Sequence, residues 1–284
     1  MGLKGDHAAD SIRREHPVNI SRPFWFGKYP VTVTEWEEVM GETVEMTPAM
    51  DAIGKSRLPM NATKGRFMAF CSNLTERFSG RLPHGYVFRP PTEAEWEYAC
   101  RGCGSDPDDV YNRFFRDDDC TWLYDGNSQI ASEATNHYIW TDESLIALLR
   151  ARGVTEMPES FTSWSGTRVF GPIGEHTPNS MGIHDLNIGG TGAISLDSVD
   201  PSRMGTADYG YGPGQTALAY ADEETDPVRQ DSTNSEAFIQ LVFARGTHKM
   251  PMISGAGCRN TLRVVIAYDI LNAKAYRGFR GHFR

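Results

Sequence analysis

Phe88-Arg89-Pro90-Pro91-Thr92-Glu93-Ala94-Glu95-Trp96-Glu97-Tyr98-Ala99-Cys100-Arg101-Gly102 carries more structural instruction than any other stretch of the chain. Thr92 stands where a helix N-cap belongs, and Glu95 follows it at the capping-box spacing. Trp96, Ala99 and Cys100 supply a stripe to bury, and Gly102 marks the stop. A helix capped at its start and anchored by a Trp must pack on something, and short aromatic runs nearby offer a sheet.

Moving outward, Thr34 and Glu37 repeat the T-x-x-E pattern ahead of Trp36, Val39 and Met40, which predicts an earlier helix. Phe67, Phe70, Cys71, Leu74 and Phe78 fall on one helical face. Asp142 to Arg152 predicts a further helix with Leu145, Leu148 and Leu149 inward and Gly153 as its stop. Residues Phe24 to Val31 read as a strand, as do Ala237–Ala244, Arg263–Tyr268 and Arg277–Phe283, with pairing expected among the C-terminal ones. The glycine-rich stretch Gly205 to Gly214 opens onto no helix N-terminus, so it reads as a surface loop and not a phosphate cradle. The expected organisation is an N-terminal extension over 1–22 and a single domain over 23–284, with a helical insertion near 141–153.

Composition sets the bounds. Of 284 residues, 39% are hydrophobic and 11% aromatic, enough for a substantial core. The formal net charge of −9, with no Lys/Arg block, argues against nucleic acid as a partner. No apolar run reaches the roughly 20 residues of a membrane span, and the N-terminus lacks a signal-peptide pattern. The compartment is therefore open, with the cytoplasm as the default expectation. Five cysteines in a chain this long do not suggest a disulfide framework. Cys100 and Cys103 have metal or redox spacing, but no second such pair accompanies them, and two thiols at a helix end is the simpler reading.

The order of these segments resembles the formylglycine-generating-enzyme, or sulfatase-modifying-factor, family. The matching pieces are PFWFGKYPVTVTEWEEVMG, FMAFCSNL, FRPPTEAEWEYACRG, FGPIGEHTPNSMGIHDL, ARGTHK, GCRNTLR and the late GFR at Gly278-Phe279-Arg280. The resemblance implies an α+β fold of C-type-lectin-like type, low in regular secondary structure, with short antiparallel sheets and a few packed helices. Trp96 and Glu95 are then structural. So are Arg259, Arg263 and Arg280, which need carboxylate or carbonyl partners if buried, with Asp185 a candidate.

The resemblance also implies oxidation of a client cysteine by dioxygen at a copper held by two cysteines, since copper(I) wants thiolate ligands. Counting back from Arg259, those positions fall on Met250 and Gly255, and neither is cysteine. Cys258 with Met250, Met252 and His248 forms an admissible copper set, although Met among apolar residues usually fills a core. The related sulfoxide synthases hold iron with three histidines. None of the eight histidines here stands at helical i, i+4 spacing with another. Family members also carry a Gly-Asn-Val-Trp-Glu-Trp segment that helps bind calcium, whereas Asn187 to Ala193 here lacks both Trp and Glu. Asp117, Asp118, Asp119 and Asp125 offer oxygen donors instead, and an acidic surface loop explains them more simply. No cofactor is expected.

With no catalytic residue to name, the expectation is a non-catalytic ligand-binding protein. The C-terminal placement of the motifs is similar to the variable proteins of diversity-generating retroelements. Its ligand, a protein or a cell-surface molecule, would meet His248, Lys249, Asn260, Tyr268, Asp269, Asn272, Lys274 and Tyr276. The alternative is a metal- and oxygen-dependent oxidase with rearranged ligands, and a third reading is an accessory role without a small ligand.

Overall fold

In the computed structural model, residues 17–102, 140, 142–157, 170–186, 193–198, 224–228, 238–242, 250–254 and 260–272 are described. The opening stretch of the sequence forms strand β4 (Tyr86–Arg89) and helix α4 (Glu93–Cys100). Thr92 is extended at φ −71° and ψ 164°, and its hydroxyl accepts the Glu95 N–H at 3.1 Å. The Glu95 carboxylate returns the favour by accepting the Thr92 N–H at 2.9 Å. That carboxylate has a second task. The Arg89 guanidinium donates to both of its oxygens, at 2.7 and 2.6 Å, with Arg89 4% and Glu95 7% exposed. Arg89 Nη1 also donates to the Pro90 carbonyl and Nε to that of Tyr268. A buried fork of this kind makes sense only when most of the remaining donors are satisfied, and here the backbone takes two of the three.

Helix α4 is buried nearly all round, with Glu93, Glu97, Trp96, Ala99 and Cys100 inward. The Glu93 N–H donates to the Asp197 carboxylate at 2.8 Å, which places a negative charge at the helix N-terminus where the backbone dipole favours it. Glu97 pairs with Arg101 at 2.8 Å.

Helix α1 (Val33–Met40) starts two residues before the position that Thr34 suggested. The stretch TVTEWE contains two overlapping T-x-x-E frames, Thr32/Glu35 and Thr34/Glu37. Thr32 and Glu35 make the capping box, Trp36 is driven fully inside, and Gly41 closes the helix at φ +68°. Burial decides between the frames, because Val33 and Trp36 then face the core together while Thr34 points to solvent. Glu37 is left to accept Lys55 Nζ at 2.6 Å and the Val44 N–H at 2.7 Å. A short helix that the sequence did not suggest, α2 (Pro48–Ile53), follows, capped by Thr47 with Pro48 at its start. Helix α3 (Lys64–Arg77) buries Phe67, Phe70 and Cys71 as its spacing predicts. Trp36 stacks on Phe70 with ring centroids 5.2 Å apart. At the first position of α3, buried Lys64 donates to the Leu196 and Asp197 carbonyls at 3.0 and 2.8 Å. Burial pushes its ammonium down to about 8, against the pull of Asp197. Helix α5 (Asp142–Ala151) buries Leu145 and Leu149, and these join Val33, Ala49, Met50, Ile53 and Leu58 in one core cluster.

The strands are short. β2 (Trp25–Phe26), β10 (Val265–Tyr268) and β4 form an antiparallel sheet with β10 in the middle. A second sheet runs β3 (Asn61–Ala62), β9 (Asn260–Thr261), β5 (Ala193–Ser198), β7 (Phe238–Val242) and β8 (Met250–Ser254). Its contacts are antiparallel apart from β5 with β9, and β1 (Val18–Asn19) pairs in parallel with β6 (Glu224–Thr225). The expected pairing among C-terminal strands is therefore corrected. β7 lies between β5 and β8, whereas β10 returns to the N-terminal strands. Residues 277–283 and the glycine-rich stretch 205–214 lie outside the described residues.

The two T-x-x-E frames separate experimentally. Thr32→Ala should cost about 1 kcal/mol of unfolding free energy, and Thr34→Ala, at an exposed position, less than about 0.5 kcal/mol. Urea unfolding of the two variants checks this, and equal losses would contradict the assigned cap.

Candidate functional site

Strand β10 alternates buried Val265 and Ala267 with half-buried Ile266 and Tyr268. The register sets Tyr268 opposite Tyr86 and Ile266 opposite Trp25, so these side chains share the outer face of the three-stranded sheet. Tyr86 meets Trp25 and Tyr268 edge to face, with centroids 5.9 and 6.1 Å apart. Arg22 lays its guanidinium over the Tyr268 ring, 4.1 Å from the centroid. The Tyr86 hydroxyl donates to the Pro23 carbonyl at 3.1 Å, which pins the entering chain beside the cluster. Gly85 is required here. Its φ is +79°, and a Cβ would lie 2.7 Å from Tyr268 Cε2.

Beyond Tyr268 the chain turns. The Asp269 N–H donates to the Gly85 carbonyl, and its carboxylate accepts the Asn272 N–H at 3.2 Å and Asn272 Nδ2 at 2.6 Å. Three of the candidate ligand residues, Tyr268, Asp269 and Asn272, thus sit together at one end of β10. Asn260 does not join them. It belongs to β9, opposite Ala62 in the other sheet. His248, Lys249, Lys274 and Tyr276 lie outside the described residues. Arg22, Trp25 and Tyr86 were not singled out in the sequence. The signal for Trp25 and Tyr86 is the aromatic run Phe24-Trp25-Phe26 and the alternation of Tyr86 with Phe88, but only the strand pairing shows which Tyr they meet.

Of the arginines, Arg263 is buried and takes carbonyls, and not the Asp185 carboxylate that the sequence suggested. It donates to Gly27 at 2.7 Å, His184 at 2.6 Å and the main chain of Asp185 at 3.1 Å. The Asp185 carboxylate instead accepts the Gly174 N–H through Oδ2 at 2.7 Å, and its Oδ1 is buried without a hydrogen-bond partner. Asp185 adopts φ +55°, a left-handed conformation that Asp and Asn tolerate best among residues with side chains. Burial raises its carboxyl above the usual range, and the Gly174 bond and the Arg263 charge only partly offset that. Arg259 and Arg280 lie outside the described residues.

At the positions where the resemblance implies copper ligands, Met250 begins β8, while Gly255 and Cys258 lie outside the described residues. Cys71 and Cys100 are buried on separate helices, and burial pushes the Cys71 thiol well up. Among the described residues no three His, Cys, Asp or Glu side chains are grouped to hold a metal. Most of the segment that replaces the calcium motif, 187–192, and the acidic run 117–125 lie outside the described residues.

A family model for the sulfatase-modifying factor enzyme 1-like domain matches residues 1–200. The chain belongs to that family, and the α+β architecture of a few helices on short sheets is the one its sequence implied. Among solved structures it is similar to the crystal structure of CarF, at 16% identity over 87% of each chain, with a TM-score of 0.46. No curated protein matches the chain. No helix among the described residues is long and apolar enough to cross a membrane.

The raised carboxyl of Asp185 sets a sign for pH dependence. Between the unfolded and folded pKa values the folded state holds the extra proton, so its contribution to stability is full at low pH and is lost as pH rises through the folded value. Asp185→Asn keeps an oxygen for the Gly174 N–H and suits the positive φ. The variant should gain stability relative to the parent as pH rises from below the ordinary carboxylate value of about 4 toward neutrality. Parallel stability curves in urea across that range would contradict the assignment.

Proposed function

We propose that this chain is a non-catalytic binding member of its family, holding a ligand on the outer face of the β2–β10–β4 sheet and the turn after Tyr268. The observation that carries the reading is the pair Met250 and Gly255 at the positions where relatives place copper thiolates. Methionine and glycine offer no thiolate, and the residues present do not fit a two-cysteine copper site.

The surface itself supports binding. Trp25, Tyr86, Tyr268 and Arg22 are residue types that dominate recognition energies, and here they interlock on a rigid three-stranded base. Asp269 and Asn272 add polar groups to the turn beside them. The ligand is a protein or a cell-surface molecule, and the lectin-like scaffold displays it a C-terminal surface. The finer reading makes the chain a variable protein of a diversity-generating retroelement, with diversified positions between Arg245 and Tyr276.

Two experiments bear on this. Purified protein titrated with copper(I) against a chromophoric chelator should retain no stoichiometric copper, and one tightly held ion per chain, lost on Cys258→Ser, would restore the oxidase reading. Sequencing around the gene should find a second copy of the segment encoding Arg245 to Tyr276 beside a reverse-transcriptase gene. A locus without such a repeat removes the retroelement reading.

A further inference from the structure

We propose that a groove along the outer edge of β2 receives an extended, acidic segment of a partner protein, which adds to the three-stranded sheet as a fourth strand. This site adjoins the surface proposed above and shares Arg22 and Trp25 with it, but the incoming strand rests on the edge of β2 and not on the β10 turn.

The backbone carries the first part of the argument. Among the described residues strand β2 pairs with β10 alone and forms an edge of its sheet. The Gly27 N–H donates to the Val264 carbonyl at 2.9 Å, so Gly27 and Val264 are a hydrogen-bonded pair. The next pair, Phe26 with Val265, is then of the other kind, and the Phe26 N–H and C=O point away from β10. By the same alternation the peptide groups of Phe24 point outward. The chain uses this edge once itself. The His184 N–H donates to the Lys28 carbonyl at 3.0 Å. The segment then diverges, because Asn179 closes the 179–183 turn through its main chain and its side-chain Oδ1. Among the described residues no hydrogen bond reaches the main chain of Phe24 or the outward groups of Phe26. An extended peptide is the ligand that matches a row of alternating donors and acceptors.

The side chains carry the second part. Between β2, the last turn of α4 and the Met181–Ile183 segment lies a groove of about 710 Å³. Among the described residues four large apolar side chains are exposed. Three of them line this groove: Trp25 at 54%, Tyr98 at 47% and Met181 at 53%. Such clustering on a surface marks a place where another molecule sits. Phe24 forms the floor, touching Phe26 and Tyr98 with centroids 6.4 and 6.3 Å apart. Arg22 is the one charged residue in the lining, and among the described residues it lies over the Tyr268 ring and meets no carboxylate. On a chain of net charge −9, a guanidinium so placed beside an apolar groove selects an acidic side chain in the incoming segment.

The test is a random-peptide phage selection on the full chain, with anisotropy titration of the recovered peptides. Recovered peptides should carry Asp or Glu next to an apolar residue. Their affinity should fall about tenfold or more on Met181→Glu, on Arg22→Glu, and on N-methylation of alternate peptide amides. Met181 and Arg22 are exposed, so both variants should melt like the parent; if Met181→Glu does not, Tyr98→Ala takes its place. Asp269→Ala, in the β10 turn, should leave affinity within about twofold. Failure to enrich peptides, or affinity indifferent to N-methylation and to Met181→Glu, overturns the proposal. Loss on Asp269→Ala with the groove variants unchanged also overturns it, by moving the peptide to the β10 turn.

Discussion

The paired hydrogen bonds between Arg89 and Glu95 hold the rest of the structure in place. One carboxylate, buried between the end of β4 and the start of α4, caps the helix and neutralises the arginine that ends the strand. The same guanidinium reaches the Tyr268 carbonyl, so helix, strand and the returning β10 meet at a single charge pair. Two ions taken out of water are costly, and removing one partner of such a pair typically costs roughly 3–5 kcal/mol. The pair is tolerable because almost every remaining donor finds a main-chain oxygen. Geometry is what this charge pair supplies, more than net stability.

From that point the outer face of the sheet follows. With β10 held between β2 and β4, Trp25, Tyr86 and Tyr268 must stand side by side, and the absence of a side chain at Gly85 lets the Tyr268 ring approach the turn closely. Arg263 performs a matching service from the other side by gathering the carbonyls of Gly27, His184 and Asp185. Through these carbonyls it binds the 184–185 corner to the first strand. This leaves Asp185 as a buried acid whose charge is poorly compensated, an expense confined to one corner of the fold.

Much of the helical layer was legible in the residues alone. The capping box at Thr92, the apolar face of α3 and the Leu145/Leu149 stripe of α5 are local patterns, and local hydrogen bonding and periodicity are enough to produce them. Where two local patterns competed, as at Thr32 and Thr34, the sequence was ambiguous and burial of Trp36 chose between them. The candidate site was legible only in part. Tyr268, Asp269 and Asn272 stand close in sequence and stay close in space, but Asn260 parts from them because β9 and β10 join different sheets.

The sequence by itself determined the family and the helices with their own caps, since each of these is written in residue type and spacing. Tertiary structure alone decided that β10 pairs with β2 and β4, that Arg22 and Trp25 meet Tyr268, and that Arg263 binds carbonyls. The reason is physical. A two-residue strand has almost no preference of its own for a partner, and its register is chosen by which faces can be buried together once the whole chain is assembled.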